Sequence, residues 1–179
     1  MHARTLHALS IVGLALCAAT AGGCTRHIKD VELVSVVRIP QIYQAPPKLR
    51  ISFTSRSDFR GLRGTHAYLW TSLCPIRDGM VVNFGEVDLE GRAVKPGQDV
   101  PRHVEDDAPP LVYTGVIDYD KVWVETDYPI DTYHLLLPPD AVDLCFRVES
   151  AGWKRFRTND VMIPKAAIAA ALMAPPRAP

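Results

Sequence analysis

The sequence lacks the motifs that identify most small hydrolases and nucleotide-binding enzymes. It contains no GxSxG, SxxK or HExxH motif. The loop GLRG at 61–64 has neither the lysine and spacing of a P-loop nor the three glycines of a dinucleotide-binding turn. No sequence motif therefore places a nucleophile beside a base or cradles a phosphate-bearing cofactor. These absences predict a protein that is not an enzyme and that carries no cofactor.

Clustered metal ligands and an excess of charge are missing as well. His66, His103 and His134 are scattered, and neither Cys74 nor Cys145 has a CxxC or CxxH neighbour, so no metal site is predicted. The 20 basic and 20 acidic residues give a net charge of zero. Because nucleic acid is bound by a concentrated basic surface, it is not predicted as a partner.

The apolar run near the start of the chain is short for a transmembrane helix. It covers residues 8–21 without an acid or a base, whereas a helix that crosses a bilayer needs about 20 apolar residues. Arg4 precedes it and small residues follow it, which is the arrangement of a secretory signal peptide. Residues 1–23 are therefore predicted to be a signal peptide.

The segment AGGC at 21–24 resembles the lipobox of bacterial lipoproteins, although Ala21 stands where leucine is more usual. The resemblance implies that Cys24 is acylated and becomes the first residue of the mature protein. Thr25, in place of an aspartate, implies sorting to the outer membrane. Cys17 is a second, poorer candidate for acylation, and plain cleavage or an uncleaved anchor are the alternatives.

These features predict the organisation and location of the chain. The protein is expected on the periplasmic side of the outer membrane, held there by acyl chains that each contribute about 0.8 kcal/mol per buried methylene. The expected parts are a signal peptide at 1–23, a lipidated tether at 24–30, a β-sandwich domain at 31–164, and a short helix with a disordered tail at 165–179.

The cysteines that follow residue 24 are predicted to form a disulfide. Cys74 and Cys145 are the two that remain, and an exported protein meets an oxidising compartment. The alternative is a pair of free thiols. Alternation in the segment 142–149 puts Cys145 on its more polar face.

Many short segments have the two-residue alternation of β-strands. In KLRISFTS at 48–55, Leu49, Ile51 and Phe53 share one face, and a branched-residue run at 31–39 ends at Pro40. Turn residues separate further strands, and KAAIAAALM at 165–173 predicts a helix with Pro164 at its start. The predicted fold class is all-β: an antiparallel β-sandwich, immunoglobulin-like or transthyretin-like, with a short C-terminal helix.

Two groups of residues are candidate binding sites. Arginine and aromatic side chains favour protein interfaces, and aromatic rings interleaved with acids suit sugar recognition. The predicted partner-binding residues are Arg56, Phe59, Arg60, Arg63, Trp153 and Arg155. The alternative glycan-binding residues are Asp118, Asp120, Trp123, Asp127 and Tyr128.

The function predicted from these observations is a non-enzymatic lipoprotein that binds a protein partner in the periplasm. The short β-rich chain with a lipobox is similar in architecture to the small periplasmic lipoproteins that act as immunity proteins against secreted toxins. That similarity implies inhibition by occlusion of a toxin's active site. A component of secretion or envelope assembly, or a peptidoglycan-binding lipoprotein, would have the same sequence features.

Overall fold

A computed structural model describes most of the chain after residue 24. The described residues are 25–40, 46–76, 80–81, 83–97, 104–124, 131–135, 140–151 and 155–176. They are mostly β-strand with one short C-terminal helix, which confirms the predicted β-rich class and the helix. Among these residues, no helix is both long and apolar enough to span a bilayer.

The strands of the described part follow one another along the chain with a single 3-10 turn, Phe59–Gly61, between the third and fourth. They are β1 (Arg26–Ile28), β2 (Glu32–Ile39), β3 (Lys48–Ser55), β4 (Ala67–Leu73), β5 (Met80–Val81), β6 (Asn83–Leu89), β7 (Arg92–Ala93), β8 (Leu111–Asp118), β9 (Lys121–Val124), β10 (Asp131–His134), β11 (Leu144–Ser150), β12 (Phe156–Thr158) and β13 (Val161–Ile163). The helix α1 (Lys165–Met173) follows β13.

The large sheet has the strand order β1-β12-β11-β4-β6-β8-β3-β2, with β13 beside β11 and β7 beside β6. A small sheet has the order β10-β9-β5. β1 runs parallel to β12, whereas the other pairs in the described part are antiparallel. This mixed sheet curls into a half-barrel and is not clearly the closed antiparallel sandwich that the sequence predicts. The parallel pair arises because β1 comes before the domain's first long strand and adds to the free edge of β12.

The curl occurs where β6 changes partners. Its first half pairs with β4 and its second half pairs with β8. Two glycines permit this crowding: a Cβ on Gly115 would lie 2.7 Å from Leu69 Cδ2, and a Cβ on Gly85 would lie 2.8 Å from the Val116 carbonyl oxygen. Such a close approach of strands requires a residue without a side chain.

Aromatic side chains fill the centre of the half-barrel. Phe53 on β3 meets Phe146 on β11 with ring centroids 5.3 Å apart, which joins the two halves of the sheet. Phe59 stacks on Tyr113 at 4.5 Å and on Phe156 at 5.3 Å. As predicted, Leu49, Ile51 and Phe53 of β3 are all buried. Packing of these rings joins parts of the sheet that are distant in sequence.

The Tyr113 hydroxyl holds the loop after β3 in place. It donates to the Ser57 carbonyl at 3.0 Å and accepts from the Phe59 backbone N–H at 3.2 Å. Burial raises the pKa of Tyr113 well above its ordinary value. The phenol therefore stays protonated and keeps its role as a donor.

The segment predicted as a tether contains the strand β1. Arg26 donates its backbone N–H to the Arg155 carbonyl at 2.9 Å, and Ile28 is buried. The side chain of Asn159 then bonds both backbone groups of Val31, at 3.1 and 3.0 Å. Residues 26–31 are therefore part of the folded domain, whereas residues 1–24 lie outside the described residues.

The C-terminal helix packs on β2. Arg38 donates from Nη1 to the Leu172 carbonyl at 3.2 Å, and Ile168 and Leu172 are buried. Pro164 lies one position before the first helical residue, and Asp143 accepts the first free N–H of the helix, from Lys165, at 2.7 Å. Docking supplies the stability that two turns of helix lack alone. Residues 177–179 lie outside the described part.

The disulfide between Cys74 and Cys145 is present, with the two Cα atoms 5.0 Å apart. Cys145 lies opposite Ser72 on β4 and Met162 on β13. It therefore occupies the outer face of β11, as the alternation of the sequence predicts. The bond joins the end of β4 to the start of β11.

Candidate functional site

One end of the half-barrel carries most of the predicted partner-binding residues. We call it the loop end: the end at which β3, β6 and β11 finish and β4 and β8 begin. The loop at 56–66 meets Ala151 and Phe156 there. Phe59 stacks on Phe156, and Thr65 donates its backbone N–H to the Ala151 carbonyl at 3.0 Å. The structure thus brings together two arginine-bearing segments that the sequence separates by about 90 residues.

Arg56 holds neighbouring loops rather than projecting freely. Its Nη1 donates to the carbonyls of Asp106 and Ala108, at 3.1 and 3.4 Å. Its backbone N–H donates to Asp30 Oδ2 at 2.7 Å. Arg56 therefore ties the segment at 104–108 and the end of the N-terminal strand to the loop end.

Arg60 forms a two-point ion pair with a buried carboxylate. Its Nε donates to Asp58 Oδ1 at 3.0 Å and its Nη2 donates to Asp58 Oδ2 at 2.8 Å. Asp58 is only 3 % exposed and also accepts the backbone N–H of Arg60. The hydrogen bond to Asp58 raises the pKa of Arg60, so the guanidinium stays charged.

The remaining predicted partner-binding residues differ in how exposed they are. Arg63 and Arg155 are exposed at the loop end. Phe59 is 0 % exposed and belongs to the aromatic core, so the prediction that it contacts a partner is corrected. It faces inward because the 3-10 turn directs it onto Tyr113. Trp153 lies outside the described residues.

The loop end also contains a cavity of about 500 Å³ that sequence reasoning missed. It is lined by Arg60, Leu89, Glu90, Arg92, Ala93, Val94 and Lys95. The turn between β6 and β7 forms its rim, with φ of 54° at Glu90 and 74° at Gly91. A left-handed backbone is uncommon for glutamate, since asparagine, aspartate and glycine are favoured there. The sequence signal was the Glu-Gly pair between two strands.

Of the alternative glycan-binding residues, the structure describes the side chains of Asp118 and Asp120. Asp118 pairs with Lys48 at 3.2 Å. Asp120 accepts the backbone N–H of Leu135 through its own carbonyl at 2.7 Å. The side chain of Trp123 on β9, and Asp127 and Tyr128 altogether, lie outside what the structure describes. Across all the residues that the structure describes, there is no group of three or more potential metal ligands.

A second surface lies on the outer face of β4, β6 and β11. We call it the aromatic–charged face. Its residues are Tyr68, Trp70, Phe84, Glu86, Arg147, Glu149 and Arg157. The register places these side chains in two cross-strand rows: Phe84, Trp70 and Arg147 in one, and Glu86, Tyr68, Glu149 and Arg157 in the other. The alternation of Tyr68 and Trp70 with Ala67 and Leu69 is visible in the sequence, whereas the partners beside them are not.

The aromatic rings of this face contact one another at an angle. Tyr68 and Phe84 lie 5.4 Å apart between centroids with an interplanar angle of 67°, and Trp70 and Phe84 lie 6.3 Å apart at 36°. Phe84 is 53 % exposed. Arg147 Cζ lies 6.0 Å from the Trp70 ring. The rings therefore form a ridge with an exposed apolar crest beside a cation.

A chain of ion pairs holds the charged half of the face. Glu149 Oε1 forms ion pairs with Nε of Arg147 and with Nε of Arg157, the latter at 2.9 Å. Asp160 lies 3.9 Å from Arg147 Nη1. Because Arg147 is 5 % exposed, its position is fixed by these carboxylates and by the Trp70 ring. The face is therefore pre-organised, which lowers the entropic cost of binding.

No protein-family model matches the sequence, and the comparisons with curated proteins and with solved structures found no match either. The function of this chain is therefore inferred from the geometry of the loop end and of the aromatic–charged face.

Proposed function

We propose that this chain is a non-enzymatic binding module that recognises a protein partner through its aromatic–charged face. The observation that carries the proposal is the ridge of half-buried Tyr68 and Trp70 and exposed Phe84 beside the fixed, largely buried cation Arg147. Tyrosine, tryptophan, phenylalanine and arginine are the side chains enriched where protein interfaces are buried.

The inclination of the rings supports a protein over a glycan. Sugars stack on flat aromatic surfaces, whereas Phe84 stands at 67° to Tyr68 and at 36° to Trp70. A ridge of this shape suits insertion between side chains of a partner. The acids Glu86 and Glu149 and the base Arg157 then form a polar rim around an apolar centre.

The proposed setting is the periplasmic side of the outer membrane, with acylated Cys24 as the anchor. It is supported by the lipobox resemblance at 21–24 and by the disulfide, since disulfides persist in oxidising compartments. Within this setting, immunity against a secreted toxin is the role we favour, and a part in secretion or envelope assembly is the second.

Two described carboxylates have cationic partners, one beside the predicted partner-binding residues and one among the alternative glycan-binding residues, which supports a binding role over catalysis. Asp58 is engaged by Arg60 and Asp118 by Lys48. Carboxylate oxygens engaged by a cation in this way are less available to contact a substrate. We also retain the two-layer sandwich as a proposal for the fold, supported by the contact between Phe53 and Phe146 across the curl.

The test is capture of partners from native envelopes with the acylated full-length protein. Phe84→Ala is expected to weaken capture of the dominant protein at least tenfold, because central aromatic contacts contribute about 2 kcal/mol or more. Val34→Ala is the matched control, since Val34 is 56 % exposed but lies on β2.

Three results would change the proposal. Equal loss of capture with both variants would place the interface elsewhere. Recovery of peptidoglycan fragments without a protein would favour the glycan alternative. A Cys24→Ala variant with the same mass of attached lipid as the wild type would refute the anchor.

A further inference from the structure

The start of the folded domain lies at the loop end. Arg26 is the first residue of β1 and is bonded to Arg155, beside the ring pair of Phe59 and Phe156. Arg26 is also the second residue after Cys24. An extended residue spans about 3.5 Å at most. An acylated Cys24 would therefore hold the loop end within several ångströms of the membrane surface, rather than on a long tether.

The cavity at the loop end has the charge that an anion would need. Its lining includes three cations, Arg60, Arg92 and Lys95, and one carboxylate, Glu90. Asp58 offsets the charge of Arg60, so the excess of positive charge comes from Arg92 and Lys95 against Glu90. Within the described part of the chain, neither Arg92 nor Lys95 makes an ion pair, and both are exposed.

Arg60 is fixed at the cavity while keeping donors available. Asp58 takes its Nε and Nη2 hydrogens, and no described residue accepts from its Nη1. Its carbonyl also accepts the backbone N–H of Gly97 at 2.8 Å, which closes the lining segment onto the loop. A planar guanidinium held in this way is suited to a phosphate.

The turn at the rim brings a carboxylate and a cation together. Glu90 and Gly91 both have positive φ, as in a two-residue hairpin turn, and the flanking residues Leu89 and Arg92 pair. This turn places Glu90 and Arg92 together on the rim of the cavity.

We propose that this cavity binds the phosphate of an anionic lipid headgroup in the membrane that anchors Cys24. The inference rests on the proposed anchor, which gives a headgroup a high local concentration at the loop end. Attraction between basic side chains and anionic lipid further favours binding of the headgroup. The aromatic–charged face runs along the side of β4, β6 and β11, so it stays open to a protein while the loop end lies on the membrane.

The experiment uses the acylated full-length protein in nanodiscs of phosphatidylethanolamine alone or mixed equally with phosphatidylglycerol. Hydrogen exchange is followed in the amides of 89–97. We expect slower exchange in the anionic discs, and we expect Arg92→Gln/Lys95→Gln to reduce that protection by about fivefold for each charge removed. Lys48→Gln/Lys165→Gln is the control, because it removes the same charge at the opposite end, where β3 and α1 begin.

Each other outcome overturns the inference. Equal exchange in both discs, or protection that the double variant keeps, would show that the cavity does not hold a headgroup. Equal protection by inorganic phosphate in discs of phosphatidylethanolamine would assign the cavity to a small soluble anion. The acyl mass on Cys24 and the partner capture that depends on Phe84 are measured separately, so failure of the anchor or of partner binding is distinguishable from failure of headgroup binding.

Discussion

The inner and outer faces of the same strands have different compositions. On β4 and β11 the inward side chains include Leu69, Phe146 and Val148, all 0 % exposed. The outward ones include Trp70 and Arg147, which contact each other across the strands. The inner face is apolar and closely packed, whereas the outer face combines rings with paired charges. One alternation of side chains therefore serves folding on one side and, in our proposal, recognition on the other.

The difference shows how a small β domain can separate stability from binding. A side chain on the inner face excludes water and fills space, so its loss leaves a cavity. A side chain on the outer face contributes less to folding because water already reaches much of it. Substitutions on the inner face should consequently lower stability most, whereas substitutions on the outer face should weaken binding most.

The largest expected effect comes from comparing Phe146→Ala with Phe84→Ala. Phe146 is fully buried against Phe53, so its truncation should lower the free energy of unfolding by about 3–5 kcal/mol. Phe84→Ala should change it by less than about 1 kcal/mol. Urea unfolding followed by circular dichroism measures both. Similar losses for the two variants would abolish the distinction between the faces.

A smaller loss is expected when the disulfide on the outer face is removed. Cys74→Ser/Cys145→Ser opens a cross-link between residues 71 positions apart, which the chain-entropy model values at about 4 kcal/mol and measurement often finds smaller. The double variant should unfold at lower urea with its near-ultraviolet spectrum retained in water. Reduction of the wild type should lower its urea midpoint similarly. A variant as stable as the oxidised wild type would show that the bond contributes nothing to folding.

The smallest effect is a pH dependence at Asp88, on the same face of β6 as Phe84 and Glu86. Burial, and secondarily the charge of Glu86, raise the pKa of Asp88. The folded state then holds this proton more tightly than the unfolded one, so ionised Asp88 lowers stability at neutral pH. That cost disappears as the pH falls below the unfolded value of about 4.

Asp88→Asn is therefore expected to raise the urea midpoint slightly at pH 7, with the gain shrinking towards pH 4. Unfolding curves of the variant and the wild type across this range measure the difference. A gain of the same size at both pH values would contradict an origin in the charge of Asp88, because an uncharged effect does not titrate.

Local features of the fold were predictable where the signal lies within one segment. The alternation of Leu49, Ile51 and Phe53 predicts the buried face of β3, and the composition of KAAIAAALM predicts the helix. Both are confirmed. The pairing of Cys74 with Cys145 is also confirmed, since few cysteines remained to choose from.

Features that depend on the register between strands were not predictable. Phe59 looks like a surface residue among arginines, but the 3-10 turn buries it against Tyr113 and Phe156. The cavity at the loop end requires Arg60 to meet a hairpin about 30 residues later. The segment at 24–30 is polar and short, yet β1 forms there because the edge of β12 offers it backbone partners.

The sequence by itself determined that this chain is rich in β-strand, which side of several strands faces the core, where the helix lies and which cysteines pair. The alternation of side chains and the helix propensity act within a few residues. The cysteine pairing follows from the number of cysteines and needs no geometry. Only the tertiary structure decided the curl into a half-barrel and the rows that join Phe84, Trp70 and Arg147. The physical reason is that register and curvature arise from hydrogen bonds and close contacts between distant segments, such as the approach of Gly115 to Leu69, that no single segment encodes.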